Sequence, residues 1–381
     1  MLLLTLLSAA LLGKLCCPVI RLHFLCRATF LTGQYMHNSG AFNNSVVGLC
    51  GGPAWQEKEK EGFAPKLQEA GYQTLYAGKY MNMYGVPEAG GTEQVPVGWN
   101  SWYGLVGNSK FYNYTLSVDG VAEKHGDNYE DDYFTDLVHR RALEFLDVRD
   151  PSKPLLMVLG VPASHAPFTP APQYANEFEG LTAPRIPSFN TEVGDTKHWF
   201  ARQGGPLSDS ALAEVDEIFR NRWRTLLSVD DMVEGLVNRL EADGILDNTY
   251  FVYTSDHGYH LGEFGMPIDK RQPYEFDIRI PMIIRGPNIP ANTTSKVPVL
   301  MVDMAPTFLD IAGLSTDNLD GLSLLGRVEE ERRFLVEYSG EGGEGVDKDC
   351  PQWNTGEFSW CKAELDCKCQ DTFNNTYTCL R

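Results

Sequence analysis

Positive charge is scarce in this 381-residue sequence: 32 Lys and Arg stand against 51 Asp and Glu, a formal net charge of −19. Affinity for a phosphate backbone comes from clustered Lys and Arg, so this balance argues against a general nucleic-acid binder. An anionic ligand would have to be met by cations focused in one cleft. Long hydrophobic runs are missing as well. The longest, Met1 to Gly13, falls short of the roughly 20 apolar residues that cross a bilayer, so no transmembrane span is expected. Its length and its small residues Ser8, Ala9 and Ala10 fit the apolar core of a secretory signal, although the basic stretch that should precede it is absent. A buried strand or helix is the other reading.

Cysteine is absent from the whole middle of the chain. Cys16, Cys17, Cys26 and Cys50 lie at the front, and Cys350, Cys361, Cys367, Cys369 and Cys379 at the back. The rear group, in a Pro/Gly/Asn-rich setting, reads as a disulfide-stapled segment. Zinc at Cys367-Lys368-Cys369 is the rival reading, with no CxxC pair or neighbouring His to support it. Glycosylation sequons beginning at Asn43, Asn113, Asn292 and Asn374 fit the same oxidising compartment. Together these features place the chain in the secretory pathway, lysosomal or secreted.

What is present suits a globular fold: 11% aromatic residues and only 22% charged ones. Short apolar runs at Leu75-Tyr76-Ala77, Leu155 to Leu159, Tyr250 to Thr254, Met282 to Ile284 and Phe334 to Tyr338 read as buried parallel strands. Helical stripes lie between them. One carries Leu137, Val138, Ala142, Phe145 and Leu146. A longer one carries Leu226 to Leu240 and closes at Gly244, and a third runs from about Val302 to Ile311 and stops at Gly313. Strands alternating with helices imply an α/β fold with a mostly parallel sheet. The spans expected are 1–26 as a signal-like or aberrant start, 27–340 as the main domain and 341–381 as a Cys-rich C-terminal segment.

In such folds ligands bind outside the carboxyl ends of the strands. That rule selects Gly78-Lys79, Ser164-His165 and Ser255-Asp256-His257. Asp256 and His257 at a strand end offer donors for a metal, although a strand-end Asp also serves as a helix cap. A lone His such as His165 is more often structural than catalytic. Pro267 to Pro281, which contains Lys270 and Arg271, is locally basic in an acidic protein and suits an anion cleft. Its other reading is a solvated loop with ion pairs to Glu275 and Asp277.

Several motifs then carry a resemblance. Ser255-Asp-His-Gly-Tyr-His-Leu-Gly-Glu-Phe-Gly-Met-Pro-Ile-Asp-Lys-Arg-Gln-Pro-Tyr-Glu-Phe-Asp-Ile-Arg-Ile-Pro is similar to the metal and substrate segment of the sulfatase family, within the alkaline-phosphatase-like superfamily. Arg27-Ala-Thr-Phe-Leu-Thr-Gly33, Gly71 to Tyr80, Val302 to Gly313 and Asp366 to Cys379 match in family order. The resemblance implies a three-layer α/β sandwich around a mostly parallel sheet. It also implies a sulfuric ester hydrolase that removes 6-O-sulfate from N-acetylglucosamine residues of glycosaminoglycans such as heparan or keratan sulfate. A formylglycine made from Cys by a formylglycine-generating enzyme would be the nucleophile, with Ca²⁺ or another divalent cation as Lewis acid. Carried over by position, Cys16 matches the modified Cys and Arg27 the Arg that holds it. Lys79, Lys270 and Arg271 would bind sulfate, His165 would contact it or assist the leaving group, and Asp256 and His257 would be metal ligands.

The sequence departs from the family pattern in three ways. The nucleophile motif is interrupted: Cys16-Cys17-Pro18 is followed by Val19 to Cys26 before Arg27-Ala28-Thr29, where one Ser would restore the pattern. The family's N-terminal strand with its Asp-Asp metal ligands has no counterpart before Cys16, which predicts an empty central position in the sheet and weakened Ca²⁺ binding. The C-terminal subdomain is expected to be incomplete. A chain impaired in this way could still bind sulfated glycans through Lys79, Lys270 and Arg271. A phosphodiesterase of the same superfamily would need Thr or Ser at the Cys16 position.

Overall fold

The computed structural model describes residues 2–8, 25–202, 205–326 and 331–381. Eight strands build the main sheet: β1 (Leu2–Ser8), β2 (Gln73–Lys79), β3 (Ser101–Leu105), β4 (Thr115–Val118), β5 (Val121–Lys124), β6 (Leu155–Gly160), β7 (Thr249–Ser255) and β8 (Met282–Arg285). Their order is β5-β4-β3-β2-β6-β1-β7-β8. The five strands from β3 to β7 in that order are parallel. The β4–β5 hairpin and β8 close the two edges antiparallel.

All six residues of β6 are buried, because helices cover both faces of the sheet and remove any need for polar alternation. Leu155, Met157 and Leu159 face one way, onto helices Phe134–Val148 and Asp209–Ala242. Leu156 and Val158 face the other way, with Tyr76, Trp102 and Val252, towards helices Leu25–Thr32, Phe63–Glu69 and Met304–Ile311. Truncating one of these fully buried aliphatic side chains to Ala costs about 2–5 kcal/mol. The result is the expected three-layer α/β sandwich.

Helix Asp209–Ala242 is long enough to serve two cores. Its second half places Leu226, Val229, Met232, Leu236 and Leu240 on the sheet. Its first half places Ala211, Val215, Ile218 and Phe219 against Leu261, Ile268 and Leu365, beneath the loop that carries Lys270. Ser208 caps it by accepting from Ala211 N and is itself held by Asp366, whose charge also suits the positive helix end.

Several expectations change. The central sheet position is not empty, since β1 fills it in parallel register with β6 and β7. The first apolar run thus contributes strand Leu2–Ser8 to the sheet. Met282–Arg285 is an antiparallel edge strand, and Leu335–Tyr338 leaves the main sheet to pair antiparallel with Tyr377–Leu380. The Pro267–Pro281 segment is no solvated loop, because Lys270, Arg271, Gln272 and Asp277 are buried. The tail is stapled by Cys350–Cys367 and Cys361–Cys369, which commits both sulfurs of the candidate zinc pair. Among the described residues, no helix is long and apolar enough to cross a membrane.

Candidate active site

Four neighbouring strands, β2, β6, β1 and β7, end on one side of the sheet, and their ends carry the candidate chemistry. Lys79 is the last residue of β2, His165 follows β6, and Asp256-His257 follow β7. β1 ends between the last two. Cys16 lies beyond it, in residues 9–24, outside the described residues.

Arg27, from the first turn of helix Leu25–Thr32, ties the strand ends together. Its Nε lies 3.0 Å from Asp256 Oδ2, and one terminal nitrogen donates to the Lys79 carbonyl at 2.6 Å. Glycines make that approach possible. Gly78 pairs with Gly160 in register, and a Cβ on Gly78 would lie 2.1 Å from Gly160 O. A Cβ on Gly160 would meet Lys79 O at 2.8 Å and the Arg27 guanidinium at 3.2 Å.

The cations are buried: Lys79 is 1% exposed and Lys270 7%. Lys79 Nζ donates to Asn108 Oδ1 at 2.6 Å, and Lys270 Nζ lies 3.2 Å from Asp269 Oδ1. Burial, reinforced by Arg27, holds the Lys79 amine well below its usual range, with Lys270 adding to the effect. Burial also lowers Lys270, while Asp269 pulls it back up. His165 is partly exposed by area, yet it stands among enough protein atoms that desolvation, then Lys270 and Lys79, hold its imidazole well below its normal value. Its Nδ1–H donates to Ala166 O at 2.8 Å, which makes Nε2 the proton-accepting nitrogen of the neutral ring. An anion placed among these groups would reverse their shared electrostatic penalty.

Asp256 and His257 form the acidic side. Burial pushes the Asp256 carboxyl up, but His257, Arg27 and Lys79 outweigh it and hold the group below the usual range. Oδ1 accepts no hydrogen bond among the described residues and lies 3.4 Å from His257 Nε2. His257 Nδ1–H donates to Gly258 O, and burial lowers the imidazole to about 4, so Nε2 presents a lone pair toward Oδ1. The buried Oδ1, with no hydrogen bond among the described residues, fits a cation as its partner. The described residues contain no group of three or more His, Cys, Asp or Glu set to hold a metal.

Arg271 does not join this cluster. Its guanidinium bonds Asp269, Asp371, Glu341 and Tyr338, facing the Cys-rich tail. Sequence reading missed Asn108, although it follows the end of β3 and the strand-end rule applies to it equally. It also missed Arg222, which donates to Ser164 O at 2.7 Å and stacks 3.9 Å over Tyr259, supporting the loop that presents His165. His260 and Asp277, joined at 2.9 Å, hold the turn after His257 to the Pro267–Pro281 segment.

The family model for Sulfatase matches residues 25–314. N-acetylglucosamine-6-sulfatase from Homo sapiens is 48% identical over 385 aligned residues, covering 98% of this chain and 68% of that protein, and the Capra hircus protein of the same name is equally similar. An extracellular sulfatase homologue from Drosophila melanogaster is 40% identical, covering 86% of this chain and 29% of its own. A solved structure described as in complex with its substrate D-glucosamine-2-N,6-O-disulfate superposes with a TM-score of 0.70 at 26% identity, covering 84% of this chain and 75% of that one. Matched in sequence over most of its length and in fold across the sheet, the chain belongs to the sulfatase family.

Proposed function

We propose that this sulfatase hydrolyses 6-O-sulfate esters of N-acetylglucosamine in glycosaminoglycans such as heparan or keratan sulfate. The observation that carries the reading is the buried group of Arg27, Lys79 and Lys270 around the ends of β2, β6 and β7, which focuses positive charge at one place in an acidic protein. The similarity to N-acetylglucosamine-6-sulfatases supplies the sugar.

Lys79 and Lys270 would each hold sulfate oxygens and stabilise charge that develops as the S–O bond breaks. Sulfate beside His165 would oppose the depression imposed by the two lysines and bring a proton onto Nε2. His165 would then deliver that proton to the departing alcohol oxygen. Arg27 would orient the segment that contains Cys16 while fixing Asp256. A formylglycine from Cys16 and a divalent cation, Ca²⁺ by its preference for oxygen donors, would supply nucleophile and Lewis acid, with Asp256 and His257 among the cation's ligands. The two tail disulfides and four sequons support a lysosomal or secreted location.

The test is expression in cells with formylglycine-generating enzyme, sulfate release from N-acetylglucosamine 6-sulfate, and mass spectrometry of the Cys16 peptide. Turnover with an aldehyde at Cys16 is expected, and an aldehyde without turnover overturns the substrate assignment. A thiol at Cys16, with heparin affinity lost in Lys79→Ala and Lys270→Ala, would instead make the chain a binder of sulfated glycans.

A further inference from the structure

Arg271 stands beside a proposed sulfate-binding lysine, yet all but one of the side-chain contacts described for it lead to the segment after residue 337. Nε lies 2.8 Å from Asp269 Oδ2, and one terminal nitrogen reaches Tyr338 Oη at 2.7 Å, Asp371 at 2.9 Å and Glu341 at 3.1 Å. The guanidinium carbon lies 4.1 Å from the Trp360 ring centroid. Its backbone is held as well, since Asn375 Nδ2 donates to Arg271 O at 3.1 Å. Five of these partners, all but Asp269, come from the segment after residue 337.

The same knot touches Lys270 through one carboxylate. Asp269 divides its oxygens, Oδ1 to Lys270 Nζ and Oδ2 to Arg271 Nε. Asp269 also adopts φ +125°, a conformation that L side chains rarely occupy and that persists only where neighbours over-determine it. Arg271 is one such neighbour, and His260 N, bonded to Asp269 O at 2.8 Å, is another. The charge count points the same way. Three carboxylates, Asp269, Glu341 and Asp371, converge on one guanidinium, so without it the wall behind an anion site would be negative.

We infer that Arg271 is a positioning residue, through which the Cys-rich tail fixes Asp269 and thereby sets the place of Lys270 in the sulfate pocket. This rests on the reading of Lys270 given above. The tail is then a wall of the active site. Arg271 serves it through its five-donor fork, which Lys cannot reproduce.

The experiment compares Asp371→Asn, Tyr338→Phe and Arg271→Lys in the full chain. One readout is the acetylation rate of Lys270 by an activated acetate ester, measured by peptide mass spectrometry against exposed Lys348 in the same sample. The other is calorimetric binding of N-acetylglucosamine 6-sulfate, with Lys270→Ala as reference. Intact tail disulfides and a cooperative melt establish folding, and the milder Tyr338→Phe serves if Asp371→Asn fails to fold. The expected result is Lys270 acetylation changed roughly tenfold and binding weakened roughly tenfold, the scale of one lost charge-assisted bond. Unchanged acetylation and unchanged affinity in folded variants overturn the inference. If Lys270→Ala binds like the wild type, the sulfate reading of Lys270 fails, while the acetylation rate still decides whether the tail positions that residue.

Discussion

Arg27 and Asp256, 229 positions apart in the chain, meet through a single carboxylate oxygen: two guanidinium nitrogens each lie 3.0 Å from Oδ2. The geometry fixes the carboxylate while leaving Oδ1 directed at His257. Both side chains are almost fully buried, so removing one strands the other's charge in a low-dielectric site. Arg27→Met should lower unfolding free energy by about 3–5 kcal/mol. Arg27→Lys should lose less, because it keeps the charge but not the simultaneous bond to Lys79 O. Urea denaturation of the two variants measures the difference, and equal midpoints would contradict the account.

Gly78 offers a steric test. An Ala there would push Cβ into the Gly160 backbone at 2.1 Å while holding φ at +124°. Gly71→Ala is the control, with φ +91° but no atom within 4 Å of its Cβ. We expect about 1 kcal/mol or slightly more from Gly71→Ala, the cost of the backbone alone, and more than about 3 kcal/mol or loss of folding from Gly78→Ala. Thermal melts of both variants check the ranking.

Glu59 should give the protein a pH slope unrelated to catalysis. Its carboxyl accepts from Tyr80 Oη at 3.1 Å, and burial pushes it up to about 7 from 4.5. The folded chain therefore keeps this proton to higher pH than the unfolded chain does. Its contribution is fully present below about 4.5 and is lost as pH rises through about 7. The total is about 3 kcal/mol, and Glu59→Gln should flatten that part of the profile. Unfolding free energies measured across the interval would show the same slope in both proteins if the assignment were wrong.

The tail disulfides close loops with sequence separations of 17 and 8. Chain-entropy arguments assign each about 3 kcal/mol. Cys350→Ser with Cys367→Ser, and Cys361→Ser with Cys369→Ser, should each lower the melting temperature, and the losses should be less than additive because the two bridges staple one short segment. Calorimetric scans of the two pairs and their combination would reveal full additivity if the bridges acted independently.

The sandwich and its long helices were legible because their signal is local. Leu137 to Leu146 and Leu226 to Leu240 repeat at helical spacing, and the apolar runs of β2, β6 and β7 are too short to read otherwise. β1 was ambiguous for a physical reason: a strand in the middle of a parallel sheet has the same composition as the apolar core of a leader. β3 to β5 gave little signal, since β3 contains Gly104 and β5 is largely exposed. The positions of Lys79, His165 and Asp256 at or just after strand ends were legible, because the apolar runs that precede them mark the strands. The contacts of Arg271 were not legible, because its sign suits an anion while a carboxylate that binds it lies 100 positions later.

The place of β1 has a consequence for how the chain is made. Leu2 pairs with Leu155 on one side and with Thr249 on the other. During synthesis β1 can pair with β6 once Leu155–Gly160 have emerged, but its other edge stays open until Thr249–Ser255 follow, and those β1–β7 contacts span the longest sequence separation in the sheet. Until β7 arrives to flank it, one edge of Leu2–Ser8 remains open to misdirected pairing, so the yield of folded protein should depend on this strand more than its seven residues suggest.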